Sequence, residues 1–499
     1  MIQRNLPVLI PLVFLFASLV VSGFGIWKRQ LAYPVALFAT ALAFGVALFG
    51  LQHVLTVGSI SYRLGGWSPP IGIEYVLDPL AAFFTVVIVG IALLVLLHAR
   101  IVVERELPER SVAYYAVSML FLTGLSGIII TGDLFNLYVF VEIASLSGYA
   151  LVAVGEKQAP VAAFRYLLVG TIGASFYLLG LCFIYLESGS LNMADVAKIL
   201  PALHSKPTVV VGVLLIVVGM GIKMALFPMH GWLPDAYTYA ASTSSALLAP
   251  IGTKVAAYVL VRVLFFGFGV EYVRTELPIA DVISWLSAAG IIFGSVMAMA
   301  QLEMKRMLAY SSIAQIGYVG LGIGLASPLG FIGAVLHVLN HALMKSCLFL
   351  VAANVRTSIG HSTIPSFDDS LRRQMPWTMA AFSVAALSMI GIPPMAGFFS
   401  KWYLALAGIE QSQWVFVAVI LASSLLNAVY FFRVWERVYL RRPVEKHPVV
   451  HSESRIESRE VRPSMLVPTT VLAIGILAMG LLNALVVELI IRKAIPPGL

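Results

Sequence analysis

Apolar runs of roughly 20 residues recur along the whole chain of 499 residues. Each is long enough for a helix to cross a hydrocarbon core about 30 Å thick. Inside that core the backbone finds no water to bond, so only helices and closed barrels are stable there. Strict apolar/polar alternation is absent, which argues against an outer-membrane barrel. The chain is 60% hydrophobic and 11% charged, against about 25% charged for a soluble domain. It reads as an all-α integral membrane protein. About fourteen spans are expected, near residues 6–27, 32–55, 77–100, 111–130, 133–154, 161–187, 207–248, 249–270, 280–301, 308–325, 330–356, 375–408, 414–437 and 465–491.

Lys and Arg sort unevenly between alternate loops, which sets orientation. One side carries Lys28, Arg29, Arg100, Arg105, Arg110, Lys157, Arg165, Lys305, Arg306, Arg356, Arg372, Arg373 and the cluster from Arg433 to Arg462; the other carries far fewer. The rich side is read as cytoplasm, which puts both termini outside the cell membrane and makes the net charge of +8 a topology signal rather than a nucleic-acid footprint. Lys305 and Arg306, at a cytoplasmic helix junction, are read as serving topology. The first span, with only Arg4 ahead of it and no small-residue cleavage site, reads as a retained helix. Residues 438–464 form a charged linker, solvated or docked on a partner. Cys182 and Cys347 fall inside apolar runs and are expected to be buried and inert. No metal-ligand spacing, nucleotide motif or redox motif is present, so no cofactor or metal is expected on this chain.

Ionisable residues inside the apolar runs carry the functional signal. Lys223, Lys254, Lys345 and Lys401 lie in or beside them, and Glu142 sits within LFNLYVFVEIASLSGYALVAV. Each such charge costs at least about 2.5–3.5 kcal/mol near the bilayer centre, so several on different helices imply a use. Burial disfavours an ammonium and a nearby carboxylate favours it, so a lysine whose carboxylate partner can approach and withdraw is a switchable proton binder. Glu142 and Lys223 fit that description if the fifth and seventh spans adjoin. His337, His341 and Lys345 recur at i, i+4 and i+8, on one helical face. Protons would pass from Lys223 through Lys254 and this face to Lys401. Lys401 equally suits a side chain snorkelling from a helix end.

Two spans are interrupted. Pro228, Gly231 and Pro234 break the seventh; Pro393, Pro394 and Gly397 break the twelfth. Proline removes a backbone hydrogen bond, and in a bilayer such breaks survive only where protein or internal water satisfies the freed groups. Broken spans five apart, each with a lysine, are the pattern of two inverted repeats, here 111–270 and 280–437, after an N-terminal segment 1–110 and before a C-terminal segment 438–499. His230, followed by Trp232 and Asp235 beside the first break, either caps or bridges it or carries protons, and with the prolines His230 and Asp235 are read as helix-break or gating residues.

Five stretches, TGDLFNLYVFVEI, MGIKMALFPMHGWLPDAYTYA, KRMLAYSSIAQIGYV, HVLNHALMKSCLFL and GIPPMAGFFSKWYLA, occur in this order between residues 65 and 440. In these the chain resembles the antiporter-like subunits shared by Mrp-type cation/proton antiporters, membrane-bound hydrogenases and respiratory complex I. The resemblance implies fourteen helices with two inverted five-helix repeats, each with a broken helix, around a hydrophilic axis. It puts the family's glutamate on Glu142, its lysines on Lys223, Lys254 and Lys401, and its eleventh-helix group on His337, His341 and Lys345. The GDLFNLYVF run and the GGWSPPIGI segment look most like the D-type subunit of Mrp antiporters. The expected role is therefore the proton-translocating subunit of a multisubunit sodium (or other monovalent cation)/proton antiporter, with other membrane subunits as partners. The alternative is a proton-pumping subunit of a redox complex, NADH:quinone oxidoreductase or membrane-bound hydrogenase; either way the chain would have no catalytic centre of its own. A stand-alone solute symporter fits less well, because no solute-pocket motif is evident.

Overall fold

The computed structural model describes residues 2–155, 157–441 and 460–499. Most of the charged linker therefore lies outside the described residues. The helices are α1 (Ile2–Trp27), α2 (Ala32–Thr56), α3 (Pro79–Glu106), α4 (Ser111–Ile130), α5 (Leu134–Ala153), α6 (Ala159–Ser188), α7 (Met193–Ile199), α8 (Pro207–Met224), α9 (Leu233–Tyr239), α10 (Ser242–Val261), α11 (Ile279–Met299), α12 (Met304–Gly324), α13 (Pro328–Ile359), α14 (Asp369–Gln374), α15 (Pro376–Ile390), α16 (Ala396–Glu410), α17 (Trp414–Trp435), α18 (Pro463–Leu481) and α19 (Asn483–Val486). Among the described residues, twelve helical stretches are long and apolar enough to cross a membrane. The protein is an all-helical, multi-pass membrane protein. The expected outside segment 56–76 contains a small antiparallel hairpin, β1 (Ile60–Arg63) and β2 (Glu74–Leu77), with Ile60 opposite Leu77.

Polar residues at span ends mark where helices begin. Asp78 and Asp133, which have no evident role in the sequence, are N-caps: their carboxylates accept from Ala81 N at 2.9 Å and Asn136 N at 2.7 Å. Glu303 and Ser327 do the same for α12 and α13. Asp195 lies in the first turn of α7, a short helix the apolar pattern does not reveal.

Helix packing brings backbones close. α6 lies along α8 with Gly180 against the Gly212 carbonyl, where an added Cβ would stand 2.5 Å from that oxygen. Small residues at such crossings are what membrane helices use in place of a hydrophobic driving force. α13 is largely enclosed and packs against α10, α12, α15, α16 and α18. The outward faces of α6 and α17 expose Phe164, Ile172, Leu421 and Leu425. Cys347 is buried as expected, but Cys182 is on the exposed face of α6, so the expectation of two buried thiols is corrected.

One boundary also differs. The seventh and eighth spans were expected to meet at 248/249, yet α10 begins at Ser242 and carries Pro250 inside it. The chain turns at Ala240 and Ala241, both extended, and the Glu106 carboxylate accepts from Ser242 N and Ser242 Oγ, each at 2.7 Å. This capping by a distant residue fixes the start of α10, and no local signal announces it.

Candidate functional site

Both proline-rich interruptions are gaps between helices. Pro228, His230 and Gly231 lie between α8 and α9, and Pro234 and Asp235 open α9; Pro393 and Pro394 lie between α15 and α16. A helix end inside a membrane leaves carbonyls without partners. Trp232 Nε1 donates to Ile222 O of α8 at 2.9 Å. At the second break Lys401 Nζ donates to Met389 O at 2.9 Å and Ile390 O at 3.0 Å, and Asn427 Nδ2 to Met389 O at 3.2 Å. Gly397 has no room for a side chain, because a Cβ there would overlap the Ser388 carbonyl. Asp235 accepts from Arg165 at 2.9 Å and lies 3.3 Å from Arg306, tying α9 to α6 and α12. His230 stacks on Phe227 with ring centroids 5.4 Å apart.

Lys223, in the last turn of α8, reaches across to α5. Its Nζ donates to Ser145 Oγ at 2.6 Å and Tyr149 OH at 3.2 Å, and stands 5.7 Å from the Tyr149 ring centre. Glu142 is one turn before Ser145 on the same helix, within electrostatic reach of Lys223. Among the described residues no ion pair within 4.0 Å joins them. The carboxylate and the ammonium are thus adjacent but apart. A cavity of about 50 Å³, lined by Lys223, Ser145, Tyr166, Tyr237 and Thr253, leads from Lys223 to the residue preceding Lys254. A few water-sized positions with polar partners fit that volume.

Lys254 is 1% exposed, and its Nζ donates to Ala249 O at 2.7 Å and Thr253 Oγ1 at 3.3 Å. It lies within electrostatic reach of His337, His341 and Lys345, all fully buried on α13. The two imidazoles have ring centroids 5.9 Å apart. His337 Nε2 donates to Gln315 Oε1 at 3.1 Å, and its Nδ1 is 2.9 Å from Ser400 Oγ. Ser400 also lies 3.2 Å from Gly397 O. The Ser400 hydroxyl can therefore donate to Nδ1, or turn to Gly397 O and accept from a protonated Nδ1–H; the seat suits both states of the ring. Among the described residues, neither ring nitrogen of His341 has a hydrogen-bond partner. Lys345 Nζ donates to Leu308 O at 2.7 Å and to Ser311 Oγ. Lys401 stands 4.9 Å from the Tyr318 ring centre, donates to Ser424 Oγ at 3.1 Å, and is within electrostatic reach of His337.

The row thus runs from Glu142 and Lys223 past Lys254 to the α13 face and Lys401. Its lysines are held by carbonyl and hydroxyl oxygens, not carboxylates. A fixed buried ion pair would lock a proton in place, since breaking one costs about 3–5 kcal/mol. Lys401 is 5% exposed and bound to the end of α15, so it is no snorkelling side chain.

Sequence reasoning missed several members. Ser145 and Tyr149 fall at i+3 and i+7 from Glu142, a spacing that could have flagged them. Gln315, Ser400 and Tyr318 carry no local signal. Lys305, expected to serve topology, is 2% exposed, and its Nζ donates to Ala240 O at 2.6 Å; the α9–α10 turn covers it. His98 on α3 is fully buried and donates from Nε2 to Asn354 Oδ1 at 2.7 Å.

Comparison with known proteins places the chain in a family. Residues 131–427 match the family described as NADH:quinone oxidoreductase/Mrp antiporter, transmembrane. The chain is 45% identical over 502 residues to NADH-quinone oxidoreductase subunit N of Desulforudis audaxviator, covering 99% of both. It is 31% identical over 436 residues to the D-type subunit of the Na(+)/H(+) antiporter of Bacillus subtilis, covering 86% of this chain and 85% of that one. A subunit of the archaeal membrane-bound sulfane sulfur reductase, a respiratory membrane complex, superposes with a TM-score of 0.88 at 29% identity, covering 98% of this chain and 97% of that one. The resemblance to the antiporter protein is real, but the identity to subunit N is higher and extends over the whole chain. The chain belongs to the family of antiporter-like transmembrane subunits shared by NADH:quinone oxidoreductase and Mrp antiporters.

Proposed function

We propose that this chain is a proton-translocating membrane subunit of a redox-driven multisubunit complex of the NADH:quinone oxidoreductase type. The observation that carries the reading is the row of half-buried Lys223 and buried Lys254, His337, His341, Lys345 and Lys401, in which the four lysines and His337 rest on neutral oxygens, beside a Glu142 that has no ion-pair partner among the described residues. A hydrogen bond to a charged group contributes about 1.5–3 kcal/mol, enough to hold a proton and small enough to release it. Approach of Lys223 to Glu142 would load the ammonium, and withdrawal to Ser145 and Tyr149 would free it to pass through the cavity to Lys254. The α13 imidazoles would relay it to Lys401.

The higher identity to subunit N supports a redox assembly over an antiporter. The second reading, exchange of protons for sodium or another monovalent cation beside Mrp-type subunits, is supported by the likeness to the Bacillus subtilis antiporter protein. In either case the chain works among other membrane subunits, in the cell membrane with both termini outside, and electron transfer or cation exchange belongs to partners. We read fourteen crossings: the twelve apolar stretches, the more polar α12, and the broken α15–α16 pair. Two inverted five-helix repeats, 111–270 and 280–437, would each hold one break.

Purifying the assembled complex through a tag on this chain tests the reading. Iron–sulfur and quinone-site partners with NADH-driven proton movement in vesicles are expected. Small antiporter subunits with sodium-driven proton movement would transfer the chain to the second reading. Wild-type proton movement in Lys223→Ala would overturn both.

A further inference from the structure

Among the described residues, one more buried lysine lies beyond the row, and the sequence pattern does not single it out. Lys305, at the first turn of α12, is 2% exposed and donates to Ala240 O. The charged groups facing it are Glu106, Glu303 and Arg356. No carboxylate within 4.0 Å pairs with it among the described residues. Its seat is a carbonyl, like those of Lys254 and Lys401.

Two observations connect this lysine in opposite directions. Inward, the Lys345 ammonium rests on Leu308 O and Ser311 Oγ of the same helix; Leu308 is three residues on, about 4.5 Å along the axis. Outward, a polar cavity of about 340 Å³ on the Lys/Arg-rich side is lined by Glu106, Arg105, Arg356, Tyr239, Ala240 and Ala241. The same Ala240 whose carbonyl holds Lys305 forms part of its floor. Just past the Ala240–Ala241 turn, in the first turn of α10, Ser244 Oγ is buried without a partner among the described residues. Buried hydroxyls left unspent are where internal water is found.

We infer that Glu106 and Lys305 form the port through which the row exchanges protons with the Lys/Arg-rich side, resting on the proton-carrying reading of the row. In the inward direction, water in the cavity gives a proton to the Glu106 carboxylate. The Lys305 ammonium passes its own proton to the Lys345 amine through water or hydroxyl oxygens, and the resulting Lys305 amine is reloaded from Glu106. Charge and protons balance at each transfer, and the reverse sequence serves release.

Vesicles bearing the assembled complex, energised by whichever of NADH or a sodium gradient drives the wild type, provide the test. Lys305→Gln keeps an N–H donor for Ala240 O but carries no exchangeable proton; Lys305→Arg keeps charge and donor but does not deprotonate. Both are expected to assemble and to lower proton movement at least about tenfold, as expected also of Lys223→Ala. Wild-type rates in both Lys305 variants with loss in Lys223→Ala would overturn the port and leave the row standing. Wild-type rates in all three would overturn the row and the port with it. If the Lys305 variants do not assemble, Glu106→Gln decides, a tenfold loss supporting the port and a wild-type rate overturning it.

Discussion

Ser145→Ala tests the withdrawn seat of Lys223. The ammonium lies 2.6 Å from Ser145 Oγ and 3.2 Å from Tyr149 OH, with Glu142 one turn away on the same helix. Removing the shorter bond takes away about 1.5–3 kcal/mol of support for the charged side chain in that seat. At about 1.4 kcal/mol per decade, the balance between the withdrawn seat and a Glu142-paired position shifts by roughly one to two decades. A proton carrier needs both positions, so initial proton flux in vesicles should fall by about tenfold or more. Tyr149→Phe, which removes only the longer bond, should cost less than Ser145→Ala. Combining Ser145→Ala with Glu142→Gln should cost no more than Glu142→Gln alone, because both act on one equilibrium. Flux within about twofold of wild type in Ser145→Ala, with assembly unchanged, would refute the two-position account.

The two α13 histidines should separate function from stability. His341→Gln loses no protein hydrogen bond and should lower flux while the unfolding temperature of the purified complex is unchanged. His337→Leu removes the bonds to Gln315 and Ser400 and should in addition destabilise the complex by about 1–3 kcal/mol, read from detergent melting curves. Lys401→Met strips the ammonium from the Met389 and Ile390 carbonyls, so loss of flux should come with a lower melting temperature. Gly397→Ala forces a Cβ into the Ser388 carbonyl and should reduce the yield of folded protein, an overpacking cost of about 1–3 kcal/mol or more.

What could be read from the sequence was what the bilayer dictates. Apolar runs of spanning length, proline pairs inside them and stray lysines each violate or obey a strong rule, so the helical class, the gaps at Pro228–Pro234 and Pro393–Pro394, and the candidate row were visible. What could not be read was set by distant contacts. Lys305 looks like an ordinary charge at a helix start, and only the α9–α10 turn folding over it makes it buried. The start of α10 depends on Glu106, 136 residues away in sequence. Ser145, Gln315 and Ser400 are common polar residues whose meaning comes from the side chains they meet. The separation of Glu142 from Lys223 is likewise a matter of helix placement, since α6 packs on both α5 and α8 and only the lysine's length closes the gap.

The most direct test of the central claim is the rate of proton movement by the assembled complex in sealed vesicles after Lys223→Ala, with subunit composition checked on the same preparation. The account predicts an intact complex whose proton movement through this subunit is lost. An intact complex that moves protons at the wild-type rate would contradict it.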